Sequence, residues 1–135
     1  NVDISNAQRA ALANEARADR ILRVHADTNT NPAVTGISTL YPAGNDWVEP
    51  IRAESLRAAG IIHNQMLAST GATNRGVVAR SDLAGFNYAT VPSVLVEVGF
   101  LSNPNDDEQL AEESYQDRLA DGIARGVLEY LGVTE

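Results

Sequence analysis

The stretch Val91-Pro92-Ser93-Val94-Leu95-Val96-Glu97-Val98 carries the strongest strand signal in the chain. Its near-continuous β-branched and aliphatic run, with no polar alternation, marks a strand buried on both faces. Downstream, Asn103-Pro104-Asn105-Asp106-Asp107 reads as a loop that caps a short helix. From about Ser114, the spacing of Tyr115, Leu119, Ile123 and Val127 gives one apolar helical ridge. Gly122 and Gly126 each weaken that helix, yet their missing side chains permit close packing. Gly132 ends it.

Upstream, Ser5 and Gln8 form a capping box, followed by an alanine-rich helix from Asn6 to Ala18 with Leu12, Ala13 and Ala16 as its buried side. Arg20 to Ala26 is short and apolar enough for a strand, closed by the polar loop Asp27-Thr28-Asn29-Thr30-Asn31-Pro32. Thr35 to Tyr41 is a second strand, broken by Pro42-Ala43-Gly44-Asn45-Asp46. Pro50 suits the first residue of a helix. Ile51, Ser55, Ala58, Ala59, Ile62 and Met66 follow on one stripe until Gly71. Residues 74–88 read as irregular. The order helix, strand, strand, helix, strand, helix is an α/β pattern. Three strands are few beside the roughly five or six of an average sheet, so part of the domain is expected outside this chain.

Composition narrows the function. The 135 residues are 44% hydrophobic and 21% charged, which is globular. With no cysteine, thiolate metal sites, thiol nucleophiles and disulfides are excluded. All ten cations are arginine, and the net charge is −8. That balance argues against a nucleic-acid partner, which needs a basic surface. No apolar run is long enough to span a bilayer. The chain starts at Asn1 with no signal-peptide pattern, so its numbering need not begin where its gene does.

Two residues stand where chemistry is expected. His25 lies at the carboxyl end of the first strand, and Glu97 near the carboxyl end of the most buried one. In open α/β sheets ligands bind at that rim, and parallel strands would bring both side chains to it. A carboxylate inside a Val/Leu-rich strand is costly unless paired or placed at a site mouth. Glu97 therefore has two readings of equal weight, catalytic or paired in a buried ion pair with Arg80 or Arg75. A lone strand histidine is more often a hydrogen-bonded core residue than a metal ligand. His63 sits beside the apolar stripe of the middle helix and reads as a boundary residue on a solvated flank. Trp47 is a packing anchor or part of a sugar-stacking rim, packing being preferred. The chain has no phosphate-binding Gly-rich loop, no Gly-x-Ser-x-Gly elbow and no serine triad arrangement.

The segment from Pro92 to Asn103, Pro-Ser-Val-Leu-Val-Glu-Val-Gly-Phe-Leu-Ser-Asn, closely resembles the signature of zinc-dependent N-acetylmuramoyl-L-alanine amidases. Arg9-Ala10-Ala11-Leu12-Ala13-Asn14, Ala18-Asp19 and Val24-His25-Ala26-Asp27 resemble the family's helix and histidine strand. Tyr115-Gln116 and the helix to Leu131 resemble its closing segment. Several blocks in family order, from about Ser5 to Leu131, make the resemblance specific. Two positions depart from it: Asp27 replaces an asparagine, and Phe86-Asn87 replaces a Leu-Arg pair.

The resemblance implies a twisted, largely parallel sheet with helices on both faces. It also implies a secreted, autolysin-type hydrolase of the bacterial cell wall. Its substrate would be peptidoglycan, cleaved at the amide between N-acetylmuramic acid and L-alanine. Zinc (Zn2+) would be the cofactor, His25 one zinc ligand, and Glu97 the catalytic acid/base. The family's remaining ligands, with its first strand and helix, precede the segment matching Ser5. A catalytic zinc takes about three protein ligands. Residues 1–135 are thus expected to be the C-terminal portion of one amidase domain, inactive alone, with the missing N-terminal segment as a partner. The alternative is an inactive cell-wall-binding or regulatory module that keeps the fold.

Overall fold

Ser93–Phe100 forms the central strand, and all eight of its residues are buried. In the computed structural model, which describes residues 3–133, the elements are α1 (Asn6–Glu15), β1 (Ile21–Asp27), β2 (Ile37–Pro42), α2 (Glu49–Thr70), β3 (Asn74–Arg80), α3 (Ala84–Asn87), β4 (Ser93–Phe100), α4 (Pro104–Ala111) and α5 (Glu113–Leu131). A 3-10 turn, Asp46–Val48, precedes α2. The sheet order is β1-β4-β2-β3. β1 runs parallel to β4 and β3 parallel to β2, while β2 and β4 are antiparallel. The expected α/β class and mostly parallel sheet are therefore present.

Alternation along β4 sorts its side chains between two layers. Val94, Val96 and Val98 join Ala58, Ala59, Ile62 and Met66 of α2 and Tyr115, Leu119 and Tyr130 of α5 in the main core. Burying each larger aliphatic contributes about 1.5–3 kcal/mol relative to exposure. Gly126 makes the α2–α5 approach possible: a Cβ there would lie 2.6 Å from the Ile62 Cα. The other face carries Leu95, which packs with Leu40 and with Phe86 of α3. α1 docks onto α3 on that side. Asn14 donates its amide to the Tyr88 carbonyl and accepts from the Thr90 N–H. Helices thus cover both faces.

Five expectations need correction. Residues 74–80 are a strand. Its Val77-Val78 pair follows Gly76, which takes φ +83° at a bulge where β3 carries one residue more than β2. α1 buries Ala10 rather than Leu12, which is 55% exposed, because the helix docks through the Ala10/Asn14 stripe. The helix also ends at Glu15, short of Ala18; its Ser5–Gln8 capping box is present. His63 is buried, because the sheet-facing arc of α2 is wider than its aliphatic stripe. Trp47 is exposed, and its neighbour Val48 is the packing anchor.

Candidate active site

The register of the sheet builds the site. His25 of β1 and Ser38 of β2 stand opposite Glu97 from either side. All three lie on the face that carries Leu95. Just past Glu97 the β1–β4 register shifts, and three residues of β4 span two of β1. Asp106 holds this strand end in place. Its carboxylate accepts from the N–H groups of Phe100 (2.9 Å) and Gly36 (3.1 Å) and from the Thr35 hydroxyl. Asn103 caps α4 by accepting from the N–H groups of Asn105 and Asp106. The cap was legible in sequence; the clamp was not, since it joins groups about 70 residues apart.

Glu97 is 6% exposed. Its Oε2 lies 2.9 Å from His25 Nδ1. With Glu97 ionised, the ring N–H donates this bond. Oε1 has no partner among the described residues and touches solvent. Burial raises the Glu97 pKa above the ordinary carboxylate value, opposed by the hydrogen bond and charge of His25. His25 itself is half exposed. Neither arginine considered from sequence pairs with Glu97. Arg75 stacks over the Phe100 ring at 5.1 Å. Arg80 grips Asp82 with Nε–Oδ1 and Nη2–Oδ2 at 2.7 and 2.8 Å. This fork holds the Asp82 pKa down to about 2.

His63 belongs to the opposite face. Its Nδ1 lies 3.1 Å from Thr39 Oγ1 and its Nε2 2.9 Å from Asn74 Oδ1, so both ring nitrogens are satisfied. It is a core residue tying α2 to β2 and β3, away from Glu97.

The donor chemistry at His25 suits one metal-ligand position. A metal-ligating histidine commonly donates its other ring N–H to a carboxylate, leaving one lone pair free. His25 Nδ1 meets Glu97 in this way, and Nε2 has no partner among the described residues. One imidazole is not a site, however. The described residues contain no group of three or more His, Cys, Asp or Glu able to hold a metal.

A histidine and a glutamate side by side on the parallel β1–β4 pair of a helix-covered sheet form a candidate catalytic pair, and the comparisons identify the family that carries it. A family profile described as N-acetylmuramoyl-L-alanine amidase matches residues 1–129. LytC of Bacillus subtilis, an N-acetylmuramoyl-L-alanine amidase, is 32% identical over 123 residues, covering 91% of this chain and 24% of its own. The catalytic domain of CwlV from Paenibacillus polymyxa superimposes with a TM-score of 0.86 at 32% identity, over 98% of this chain and 69% of that one. Ami1 of Mycobacterium smegmatis gives 0.87 at 32% identity, over 99% and 63%. This chain belongs to the N-acetylmuramoyl-L-alanine amidase family. It spans 56%, 24% and 53% of the length of three curated relatives it matches.

Proposed function

We propose that residues 1–135 are the C-terminal portion of a zinc-dependent catalytic domain that hydrolyses the amide between N-acetylmuramic acid and L-alanine of peptidoglycan, outside the cell at the wall. The observation that carries this is the His25–Glu97 pair, hydrogen-bonded at 2.9 Å across the parallel β1–β4 pair of a chain in this family. His25 would be one zinc ligand, with the others supplied by polypeptide outside these residues. Zinc, when bound, lowers the pKa of a coordinated water and polarises a carbonyl.

The chain's own part is proton handling. Oε1 of Glu97 faces solvent and is free to accept the proton of the attacking water. It then returns that proton to the leaving amine nitrogen, so the carboxylate is regenerated. Burial raises its proton affinity above that of an ordinary carboxylate, while the His25 hydrogen bond and charge oppose the rise. The bond to His25 fixes the carboxylate plane.

Two observations support the incomplete-domain reading besides the ligand count. β1 has a strand partner only in β4 among the described residues. Beside it an open apolar groove of about 730 Å3 runs between β1 and α5, lined by Leu22, Val24, Ile123 and Val127 among others. A further strand and helix of the same domain, of the kind for which the longer solved relatives have room, would cover both.

The test uses the complete domain on purified muropeptides. Glu97→Gln should reduce amide cleavage by about 10²–10⁴-fold while one equivalent of zinc stays bound, and a chelator should abolish wild-type turnover. Near-normal turnover by a folded Glu97→Gln protein would remove the assignment.

A further inference from the structure

A second cleft, of about 500 Å3, lies on the same layer as α3 and is lined by Trp47, Asp82, Ala84, Asn87 and Tyr88. Two large aromatic side chains stand in it uncovered: Trp47 is 63% exposed and Tyr88 61%. Neither helps the core, where Val48 and Phe86 serve instead. Exposing two such rings beside each other forgoes the burial that aromatics normally gain.

The polar groups of the cleft are held in fixed directions. Asn45 donates to the Ser81 carbonyl and to Asn87 Oδ1, at 3.1 and 3.0 Å. Asn87 Nδ2 also donates to the Ser81 carbonyl at 3.0 Å. Asp82 is kept as an anion by the Arg80 fork. Flat apolar surfaces beside oriented amide and carboxylate acceptors match a ligand with one apolar ring face and a rim of hydroxyl or amide donors. A pyranose has that shape. The fixed negative charge of Asp82 disfavours an anionic ligand such as an acidic peptide.

We propose that the Trp47–Tyr88 cleft is a saccharide subsite that takes a neutral N-acetylated pyranose, with the rings stacking on the sugar and Asp82 and Asn87 accepting or donating hydrogen bonds at its rim. That the sugar comes from a peptidoglycan glycan strand rests on the amidase reading above; the subsite itself does not. α3 packs against Leu40 and Leu95, on the sheet face that carries Glu97. Arg80, at the end of β3, pairs with Asp82 of the cleft. A glycan held at the cleft would thus lie along the layer that contains the His25–Glu97 pair.

The test is calorimetric titration of the complete protein with chitotetraose, which carries N-acetylated pyranoses but no peptide amide to cleave. Wild type and Glu97→Gln should both bind it. Trp47→Ala and Tyr88→Ala should each weaken binding by roughly tenfold, with unchanged far-ultraviolet circular dichroism, and Trp47→Phe should retain most of it. A free stem tripeptide, L-Ala-D-Glu-diamino acid, should compete poorly. No chitotetraose binding by wild type, or binding indifferent to both alanine substitutions, would overturn the subsite. So would tighter binding of the tripeptide at the same residues. A complete wild-type protein that binds the saccharide but cleaves no muropeptide amide would count against the hydrolase reading alone.

Discussion

At the scale of single residues, the Arg80–Asp82 fork makes a measurable claim. The Asp82 carboxyl titrates at about 2, held down by the Arg80 guanidinium, against an ordinary value of 3.8. A depressed folded-state value means a contribution to stability that is present above the unfolded pKa. It is lost as pH falls from about 4 through about 2. Both partners are exposed, so the contribution is small in solution. Carboxyl-carbon NMR should show the Asp82 midpoint near 2, and Arg80→Gln should return it toward the ordinary range. An unchanged midpoint in Arg80→Gln would deny the fork in solution. This pair was hidden in the sequence, because the burial of Glu97 drew attention to Arg80 as its partner. The two residues that the fold brings together, His25 and Glu97, were legible, since each stood at a strand's carboxyl end.

At the scale of elements, the α2–α5 contact depends on Gly126. Gly126→Val places a branched side chain where even a Cβ would sit 2.6 Å from Ile62 Cα. Overpacking of this kind costs about 1–3 kcal/mol, readable as a lower midpoint in urea unfolding with an unchanged slope. An unaltered midpoint would mean that the helices do not meet there. The role of this glycine was legible from the ridge of Tyr115, Leu119 and Ile123 that flanks it. β3 was not, because its apolar stretch is only Val77-Val78-Ala79, preceded by polar residues and a bulge glycine. The buried side of α1 also escaped, since it docks through the Asn14 amide and carries little apolar periodicity. Hydrogen-bond partners supplied by distant segments leave no local pattern to read, and the same holds for His63.

At the scale of the whole molecule, the open groove and the single imidazole make the same prediction. Residues 1–135 alone, with zinc added, should not hydrolyse muropeptides, and supplying the remainder of the domain should restore cleavage. An exposed apolar area of a few hundred Å2, at about 25 cal/mol per Å2, is comparable to the roughly 5–15 kcal/mol by which domains are stable. Robust cleavage by the verified 1–135 polypeptide would show that these residues build a complete site. The strand order has a further consequence, in time rather than in space. Among the described strands β4 is the last in sequence, yet it lies between β1 and β2. Until it emerges from the ribosome, the β2–β3 pair and β1 are separate fragments with unsatisfied edges, open to mispairing with other chains. The His25–Glu97 contact closes a loop of 72 residues, and such distant pairings form slowly. The step that completes the sheet is therefore also the step that assembles the candidate catalytic pair, so a nascent chain has neither before the other.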